Sequence, residues 1–273
     1  MSFKQYIPDI GKEWDAYWKK TSLDQELELV DTDGLKPIFE KYLSKRGKIL
    51  EAGCGMGKWV ITLAKQGYNI EGADANDYAI KKLKAFFKQA KVEKADIKAL
   101  PYPDGSFDSY LSLGVVEHFE EGPQKALGEA YRVLRRGGTA IIEVPFDSFL
   151  RRCVRTLNQV KTIIKTPARL MVEALGLRNN RQQPKMRFYE YRYTKNELLA
   201  FMKDAGFINI RIYPKDDLSK ERSIALWLDF PKLISHSGKI FELNGFGRMA
   251  KRLLNSISPY TYAALIVAVA RKP

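Results

Sequence analysis

Residues 48–57 read KILEAGCGMG, a short run of mostly apolar residues followed at once by three glycines. The run predicts a buried strand, and the next ten residues, KWVITLAKQG, predict a helix that ends at Gly67. Glycines at such a turn allow a tight bend and let a ligand approach the backbone, while the helix start offers unpaired N–H groups. The spacing is G-x-G-x-G with Glu51 two residues ahead, not the G-x-G-x-x-G of dinucleotide-binding enzymes.

Predicted strands and helices alternate outward from this turn. Helices are expected over 77–90, 123–134 and 195–206, the last with Thr194 and Glu197 as a capping box. Alternation with short connections indicates an α/β fold, a doubly wound and mostly parallel sheet with helices on both faces. Besides the first strand, the predicted strands are YNIEGAD (68–74), VEKADI (92–97), SFDSYLSLG (106–114), TAIIEVP (139–145), INIRIYP (208–214) and AALIVAVARK (263–272).

The whole chain, 1–273, is predicted to be a single domain with two insertions. Its first segment reads as helices, because Trp14, Tyr17 and Trp18 fall at i, i+3 and i+4 and would share one face. Both insertions are expected near the carboxyl ends of the strands, where doubly wound sheets bind ligands. The expected segments are an N-terminal helical lid (1–47), a ligand-binding core (48–146), a basic helical insertion (147–192), further core (193–215), a second insertion (216–258) and the last strand (259–273).

Composition separates the two halves of the chain by charge. Of the 273 residues 45% are apolar, enough for a full core, and the formal net charge is +14. Residues 1–146 contain 22 basic and 22 acidic residues, so the whole excess lies in residues 147–273, with 24 basic and 10 acidic. Such asymmetry indicates either an anionic partner or a well-solvated basic face. Two distant cysteines predict neither a disulfide framework nor a metal site and suit a cytoplasmic protein.

Two aspartates follow predicted strands and are candidate ligand contacts. Asp74 ends the second strand, where a carboxylate can accept hydrogen bonds from both hydroxyls of a ribose. It could instead cap the next helix, a role that Asn76 or Asp77 would fill equally well. Asp96, followed by Ile97, could accept from the exocyclic amine of an adenine while Ile97 packs on the ring.

Five segments together resemble the class I S-adenosylmethionine (SAM) dependent methyltransferases. They are ILEAGCGMGKW, GADAND, ADIKALPYPDGSFD, LGVVEHF and YRVLRRGGTAIIEVP, within residues 45–146, and TKNELLAFMKDAGF extends the resemblance to 207. It implies a seven-stranded Rossmann-like sheet with only the last strand antiparallel, SAM as cofactor and methyl transfer (EC 2.1.1) as the activity. The N-terminal aromatic residues resemble the family's lid over SAM. The cofactor-binding residues that the resemblance implies are Glu51, Gly53, Gly55, Gly57, Asp74, Ala75, Asp96, Ile97 and Gly114.

The segment after the fourth strand reads GVVEHF (114–119), where methyltransferases acting on adenine or glutamine nitrogens have N/D-P-P-Y. It resembles the branch that methylates small molecules. His118, with an ordinary pKa near ~6.5, is a candidate general base, with Glu117 beside it. The alternative is that both residues brace the cofactor loop by hydrogen bonds. Candidate substrate contacts, which edge-strand packing would explain equally, are Tyr189, Tyr191 and Tyr193.

The acceptor remains open at this point. Apolar and basic residues alternate at helical spacing over 149–165, which is typical of a helix that lies on an anionic membrane or caps an apolar tunnel. We expect a small-molecule or lipid-linked acceptor and a cytoplasmic protein with peripheral membrane contact. The alternatives are an RNA methyltransferase that uses the basic half and a SAM-binding protein without turnover. The pattern predicts no metal site and leaves the oligomeric state undefined.

Overall fold

The computed structural model describes residues 2–8, 13–160 and 185–273, and the side chains of all of these except 13–16. Its strands are β1 (Phe3–Pro8), β2 (Lys48–Ala52), β3 (Asn69–Asp74), β4 (Val92–Lys94), β5 (Phe107–Leu113), β6 (Leu134–Pro145), β7 (Met186–Arg192), β8 (Ile208–Lys215) and β9 (Leu265–Arg271). Its helices are α1 (Glu13–Lys20), α2 (Leu23–Glu28), α3 (Lys36–Tyr42), α4 (Lys58–Lys65), α5 (Asp77–Phe86), α6 (Gln124–Val133), α7 (149–160), α8 (Lys195–Asp204), α9 (Ile224–Asp229) and α10 (Gly245–Ile257).

Seven strands form one sheet in the order β4-β3-β2-β5-β6-β9-β8. β2 pairs in parallel with β3 and β5, β3 with β4, and β5 with β6. Only β9 runs the other way, antiparallel to both β6 and β8. The predicted mostly parallel, doubly wound sheet is therefore confirmed. The strand order reverses between β2 and β5, and such a switch point is where open sheets of this kind bind ligands at their carboxyl edge.

Hydrophobic layers cover both faces of the sheet, as parallel strands require. Alternate residues of β2 show the division, since Leu50 points into one layer and Ile49 into the other. The first layer is completed by α6 and α8, and the second by α3, α4 and α5. Both side chains are fully buried. The glycine turn after β2 is thus anchored on a strand that is packed on both sides.

Local capping explains where the helices begin. The Asn76 side chain accepts from the Ala79 N–H (2.9 Å) and caps α5. Thr194 and Glu197 form the predicted capping box of α8, with both reciprocal hydrogen bonds present. Pro37 lies in the first turn of α3, where its missing N–H costs little.

The N-terminal segment differs from the prediction of helices throughout residues 1–47. Residues 3–8 form β1, which pairs antiparallel with β7 in a two-stranded ribbon apart from the main sheet. β7 itself lies within the segment 147–192 that was predicted to be a helical insertion. The alternation of residues 188–193 (FYEYRY) did indicate a strand within that segment, whereas residues 3–8 have no local apolar run; both strands are fixed by pairing with a segment about 180 residues away. The predicted shared face with Trp14 involves a side chain outside the described ones.

Both long connections leave the carboxyl edge of the sheet. α7 follows β6, and its described part shows the predicted helix as far as 160; 161–165 lie outside the described residues. α9 and α10 lie between β8 and β9. The Arg151 guanidinium of α7 donates to the carbonyls of Phe146 and Ala264 (both 2.9 Å), at the end of β6 and the start of β9. Within the described residues, none of the helices is long and apolar enough to cross a membrane.

Candidate functional site

The glycine turn between β2 and α4 has the conformation that only glycine adopts without strain. Gly53, Gly55 and Gly57 have φ angles of +83°, +52° and +80°. Neighbouring side chains also fill the space that a Cβ atom would occupy at each of the three glycines. A Cβ atom would overlap Val115 at Gly53, the Trp18 ring at Gly55 and the Leu83 methyls at Gly57. The three glycines are therefore required by packing as well as by backbone shape, whatever the turn binds.

Asp74, at the end of β3, is held directly beneath this turn. Its carboxylate accepts from the Gly55 N–H (2.7 Å) and the Asn76 N–H (2.8 Å). Burial raises the pKa of Asp74 above its ordinary value, and these backbone hydrogen bonds oppose the rise. The alternative role as a helix cap is taken by Asn76. Asp74 instead connects the ends of β2 and β3 at the switch point, where its carboxylate also lines a cavity.

That first cavity, the Asp74 cavity, has a volume of about 320 Å³. Asp96 and Ile97 lie in the loop after β4, Asp96 exposed and Ile97 buried. Gly114 ends β5 with φ +73°. Seven residues expected at the site meet here although they come from four separate segments. The lining residues are Trp18, Gly53, Asp74, Ala75, Asn76, Asp96, Ile97, Gly114, Val115, His118 and Phe119.

A second cavity, the Glu51 cavity, has a volume of about 270 Å³ and adjoins the first. The two share Trp18, Gly53, Gly114 and His118 in their linings. Glu51 reaches only the second, its side chain 4% exposed and its Oε2 atom buried without a hydrogen-bond partner. Burial raises the pKa of Glu51 to about 8. A buried, unpartnered carboxyl oxygen facing a cavity fits a cationic or hydrogen-bond-donating ligand group.

Four charged residues next to Glu51 form a buried network that sequence reasoning missed. Lys215, 5% exposed, lies 3.1 Å from Asp33 Oδ1 and 3.0 Å from Glu143 Oε2. Lys58 lies 2.8 Å from the other Asp33 oxygen. The paired lysines hold the pKa of Asp33 well below its ordinary value, against the effect of burial. No local signal reveals this network, since its members come from four distant segments.

His118 stands where the two cavities meet. Its Nδ1 lies 2.7 Å from the Tyr189 carbonyl oxygen, which can only accept, so the ring proton is on Nδ1 and Nε2 is the basic nitrogen. Burial lowers the pKa of His118, which keeps the ring neutral at pH 7. Glu117 lines neither cavity; it is 2% exposed, its Oε1 lies 3.8 Å from His118 Nε2, and burial raises its pKa well above the ordinary value. Of the predicted catalytic pair, His118 therefore lines the cavities and Glu117 lies buried beside its ring.

The three tyrosines predicted to contact substrate have different surroundings. Tyr189 lines the Glu51 cavity and packs edge-on against His118, with ring centroids 5.2 Å apart. The Tyr191 hydroxyl donates to the Glu120 carbonyl (2.8 Å). Tyr193 is 1% exposed within the core, stacked on Tyr191. Of the three, Tyr189 alone lines either cavity, because Tyr191 and Tyr193 pack toward α8 and the β5–α6 connection.

Helix α1 covers the glycine turn. The Trp18 ring lies against Gly55 and lines both cavities. Tyr17 packs edge-on against Trp18, with centroids 4.9 Å apart, and lines the Glu51 cavity. Both aromatic side chains therefore occupy positions consistent with the lid expected from the sequence. Among the described residues, no group of three or more His, Cys, Asp or Glu could hold a metal ion.

Comparisons with known proteins agree with this geometry. The family described as Methyltransferase domain matches residues 50–142. A relative from Mycolicibacterium smegmatis, named as a probable S-adenosylmethionine-dependent methyltransferase, is 30% identical over 97 residues, 36% of this chain and 37% of the relative. A rice (Oryza sativa subsp. japonica) 2-methyl-6-phytyl-1,4-hydroquinone methyltransferase is 29% identical over 134 residues, 48% of this chain and 35% of the relative. The matched segments thus span about a third of these relatives' length.

Solved structures extend the likeness to nearly the whole fold. A SAM-dependent methyltransferase from Methanosarcina mazei covers 86% of this chain and 97% of its own, with a TM-score of 0.54 and 19% identity. One from Archaeoglobus fulgidus covers 97% of this chain and 100% of its own, with a TM-score of 0.56 and 15% identity. This chain contains a class I SAM-dependent methyltransferase domain. The sequence-based recognition is confirmed, and SAM is the cofactor that this domain implies.

The methyltransferase domain's own residues fit that cofactor. SAM combines an adenosine with a methionine that carries an ammonium group and a sulfonium. The larger cavity offers carboxylates at Asp74 and Asp96 for hydroxyl and amine donors, and the apolar Ile97. The smaller offers the unpartnered Oε2 of Glu51 for a cation. A polar ligand with a positive end suits this pair of cavities.

Proposed function

We propose that this chain is a methyltransferase that moves the methyl group of SAM to a small-molecule or lipid-linked acceptor, which loses a proton in the reaction. The observation that carries the proposal is the pair of adjoining cavities at the carboxyl edge, with His118 in the wall that they share. SAM, when bound, supplies a methyl group already activated on a sulfonium. Bringing the acceptor in line with that group then provides much of the rate.

Three carboxylates orient the cofactor in this proposal. Asp74 accepts from the ribose hydroxyls, because its oxygens are fixed by two backbone N–H groups and face the larger cavity. Asp96 accepts from the adenine amine, with Ile97 against the ring. Glu51 pairs with the ammonium group and loses its proton on binding. Trp18 and Tyr17 close the site and exclude water.

His118 receives the acceptor's proton at Nε2. The hydrogen bond from Nδ1 to the Tyr189 carbonyl fixes the tautomer that leaves Nε2 basic, and burial keeps the ring neutral at pH 7. A phenolic hydroxyl is a suitable proton donor for such a base. The rice relative is named for a hydroquinone, a phenolic molecule with an apolar tail. We therefore favour a phenolic acceptor with an apolar portion.

Transfer of a labelled methyl group tests the proposal. The purified chain is incubated with SAM carrying a labelled methyl group and with cell extract, which is then separated into lipid, small-molecule, RNA and protein fractions. We expect label in the lipid or small-molecule fraction. Label in RNA would show that the acceptor is RNA and overturn the proposed acceptor class. SAM binding without any label would show a non-catalytic SAM-binding protein.

A matched pair of variants ties the activity to this site. Asp74→Ala removes the carboxylate beneath the glycine turn, whereas Asp204→Ala removes an exposed carboxylate at the end of α8. Asp74→Ala should weaken SAM binding in calorimetry by at least about tenfold, since it deletes charge-assisted hydrogen bonds. Asp204→Ala should leave binding unchanged. Equal behaviour of the two variants would contradict the assigned site.

A further inference from the structure

Helix α10 presents an apolar stripe to solvent. Phe246, Met249, Leu253 and Ile257 are 75%, 63%, 65% and 68% exposed, and their spacing of three, four and four residues puts them on one face. Four large apolar side chains in a row on a helix face are uncommon for a surface that only meets water.

The opposite face of α10 is packed, so the helix is held in place. Ala250 and Leu254 contact a small hydrophobic cluster that includes Leu226 of α9. The buried Lys251 ammonium donates to the carbonyls of Asp217 (2.8 Å) and Ser219 (2.7 Å). The apolar stripe is therefore presented by a fixed element and is not the unpacked inner face of a detached helix.

Helix α7 shares both properties of α10. Its Leu150 packs on the same small cluster, while Phe149, Leu157 and Val160 are exposed. Neither α7 as described (149–160) nor α10 contains an acidic residue, and of their six lysines and arginines Arg152 and Arg252 are exposed while Arg151 and Lys251 are buried. On the connection between β8 and α10, three lysines (Lys220, Lys232 and Lys239) and one acid (Glu221) are exposed. An apolar stripe beside an excess of exposed basic residues complements one class of partner, a bilayer with anionic headgroups.

We propose that α10, with α7 beside it, docks this chain on an anionic lipid bilayer. The stripe enters the boundary between headgroups and acyl chains, and the neighbouring cations meet the lipid phosphates. Both helices belong to connections that leave the carboxyl edge of the sheet, the edge that carries the two cavities. Docking through them turns the cavities' side of the domain toward the membrane. The proposal rests on the proposed function only for the acceptor's location; bilayer binding itself needs no methyl transfer.

Vesicle binding without SAM tests the proposal independently of catalysis. The chain is sedimented with vesicles of phosphatidylcholine alone and of phosphatidylcholine with 30% phosphatidylglycerol. We expect binding to the anionic vesicles that weakens as salt is raised, and little to the neutral ones. Failure of the wild type to bind anionic vesicles, or equal binding to both, would overturn the proposal and leave the methyl-transfer assay unaffected.

Paired variants locate the contact. Met249→Ser with Leu253→Ser removes the middle of the stripe and should lower partitioning at least about tenfold. Phe86→Ser alters an exposed apolar residue on α5 and should have no effect. Arg252→Gln should lower the affinity for anionic vesicles about fivefold, whereas Lys82→Gln on α5 should leave that affinity unchanged. If the stripe variant instead converts a dimer to a monomer without changing vesicle binding, a second copy covers the stripe and the proposal fails.

Discussion

Glu51→Gln is the substitution that best tests the electrostatics of the site. The side chain is almost fully buried, and its pKa is raised from 4.5 to about 8, chiefly by burial. A folded-state pKa above the unfolded one means that the carboxyl stabilises the fold while protonated. That contribution is fully present below pH 4.5 and is lost as pH rises through 8. Glutamine has a similar shape and no proton to lose, so it removes this loss.

The structure sets the size of the effect. A gap of about 3.5 pKa units corresponds to at most about 5 kcal/mol. Water entry and relaxation around a buried charge reduce such figures, so we expect Glu51→Gln to gain about 1–3 kcal/mol at pH 8.5 relative to its effect at pH 4.5. Urea unfolding of both proteins between pH 4.5 and 8.5 measures this difference. Glu93→Gln, an exposed carboxylate on β4, is the control.

SAM binding gives the same residue a second test. At pH 7 Glu51 is mostly protonated, so pairing with an ammonium group should release close to one proton. Affinity should rise with pH, by up to about tenfold per unit, until about pH 8, where an α-amino group itself begins to lose its proton. Calorimetry in two buffers of different ionisation enthalpy counts the protons. A stability gain that does not depend on pH, or proton release that persists in Glu51→Gln, would refute the reasoning.

Three further substitutions probe the lid, the buried network and the proposed base. Trp18→Ala should raise the Kd for SAM about tenfold, since about 50 Å² of apolar contact is lost. A fluorescence titration with SAM measures this Kd, and the Trp227→Phe variant is the control. Lys215→Met should destabilise the fold by about 3–5 kcal/mol in urea unfolding, because buried Glu143 loses its lysine and buried Asp33 keeps only Lys58. Adding Asp33→Asn to this variant should recover part of that loss. His118→Asn should lower kcat about 100-fold with little change in the Kd for SAM. The lowered pKa of His118 places the wild-type decline in rate below pH 6.5 and not at neutral pH, and a rate profile from pH 5 to 8 checks both points.

The strand ends that line the two cavities could be predicted from the sequence because their determinants are local. The glycine turn, Asp74 and Gly114 each follow a strand directly, and a parallel sheet brings the carboxyl ends of its strands together. The capping box of α8 is likewise encoded within four residues. For these features the local sequence pattern is enough to predict the position in the fold.

The remaining features depend on pairs that are distant along the chain. β1 and β7 have weak strand patterns and form through mutual pairing. Lys215 meets Asp33 and Glu143 only once β8, β6 and the segment before α3 have folded together. Glu117 and Tyr193 carry side chains typical of active sites, yet the fold buries both outside the cavities. Residue type alone therefore could not separate the lining residues from the packed ones.

The charges around the Glu51 cavity explain why it should prefer a cation. Glu26, Glu51 and Glu143 line it with Lys58 and Lys215, and both lysines also pair with Asp33. Four carboxyls thus face two ammonium groups, an excess of two acids. Burial raises the pKa of Glu51 to about 8, so this carboxyl holds its proton at neutral pH when no cation is bound. An ammonium group can take the place of that proton, whereas a ligand without a positive charge there would leave Glu51 protonated and gain little from it.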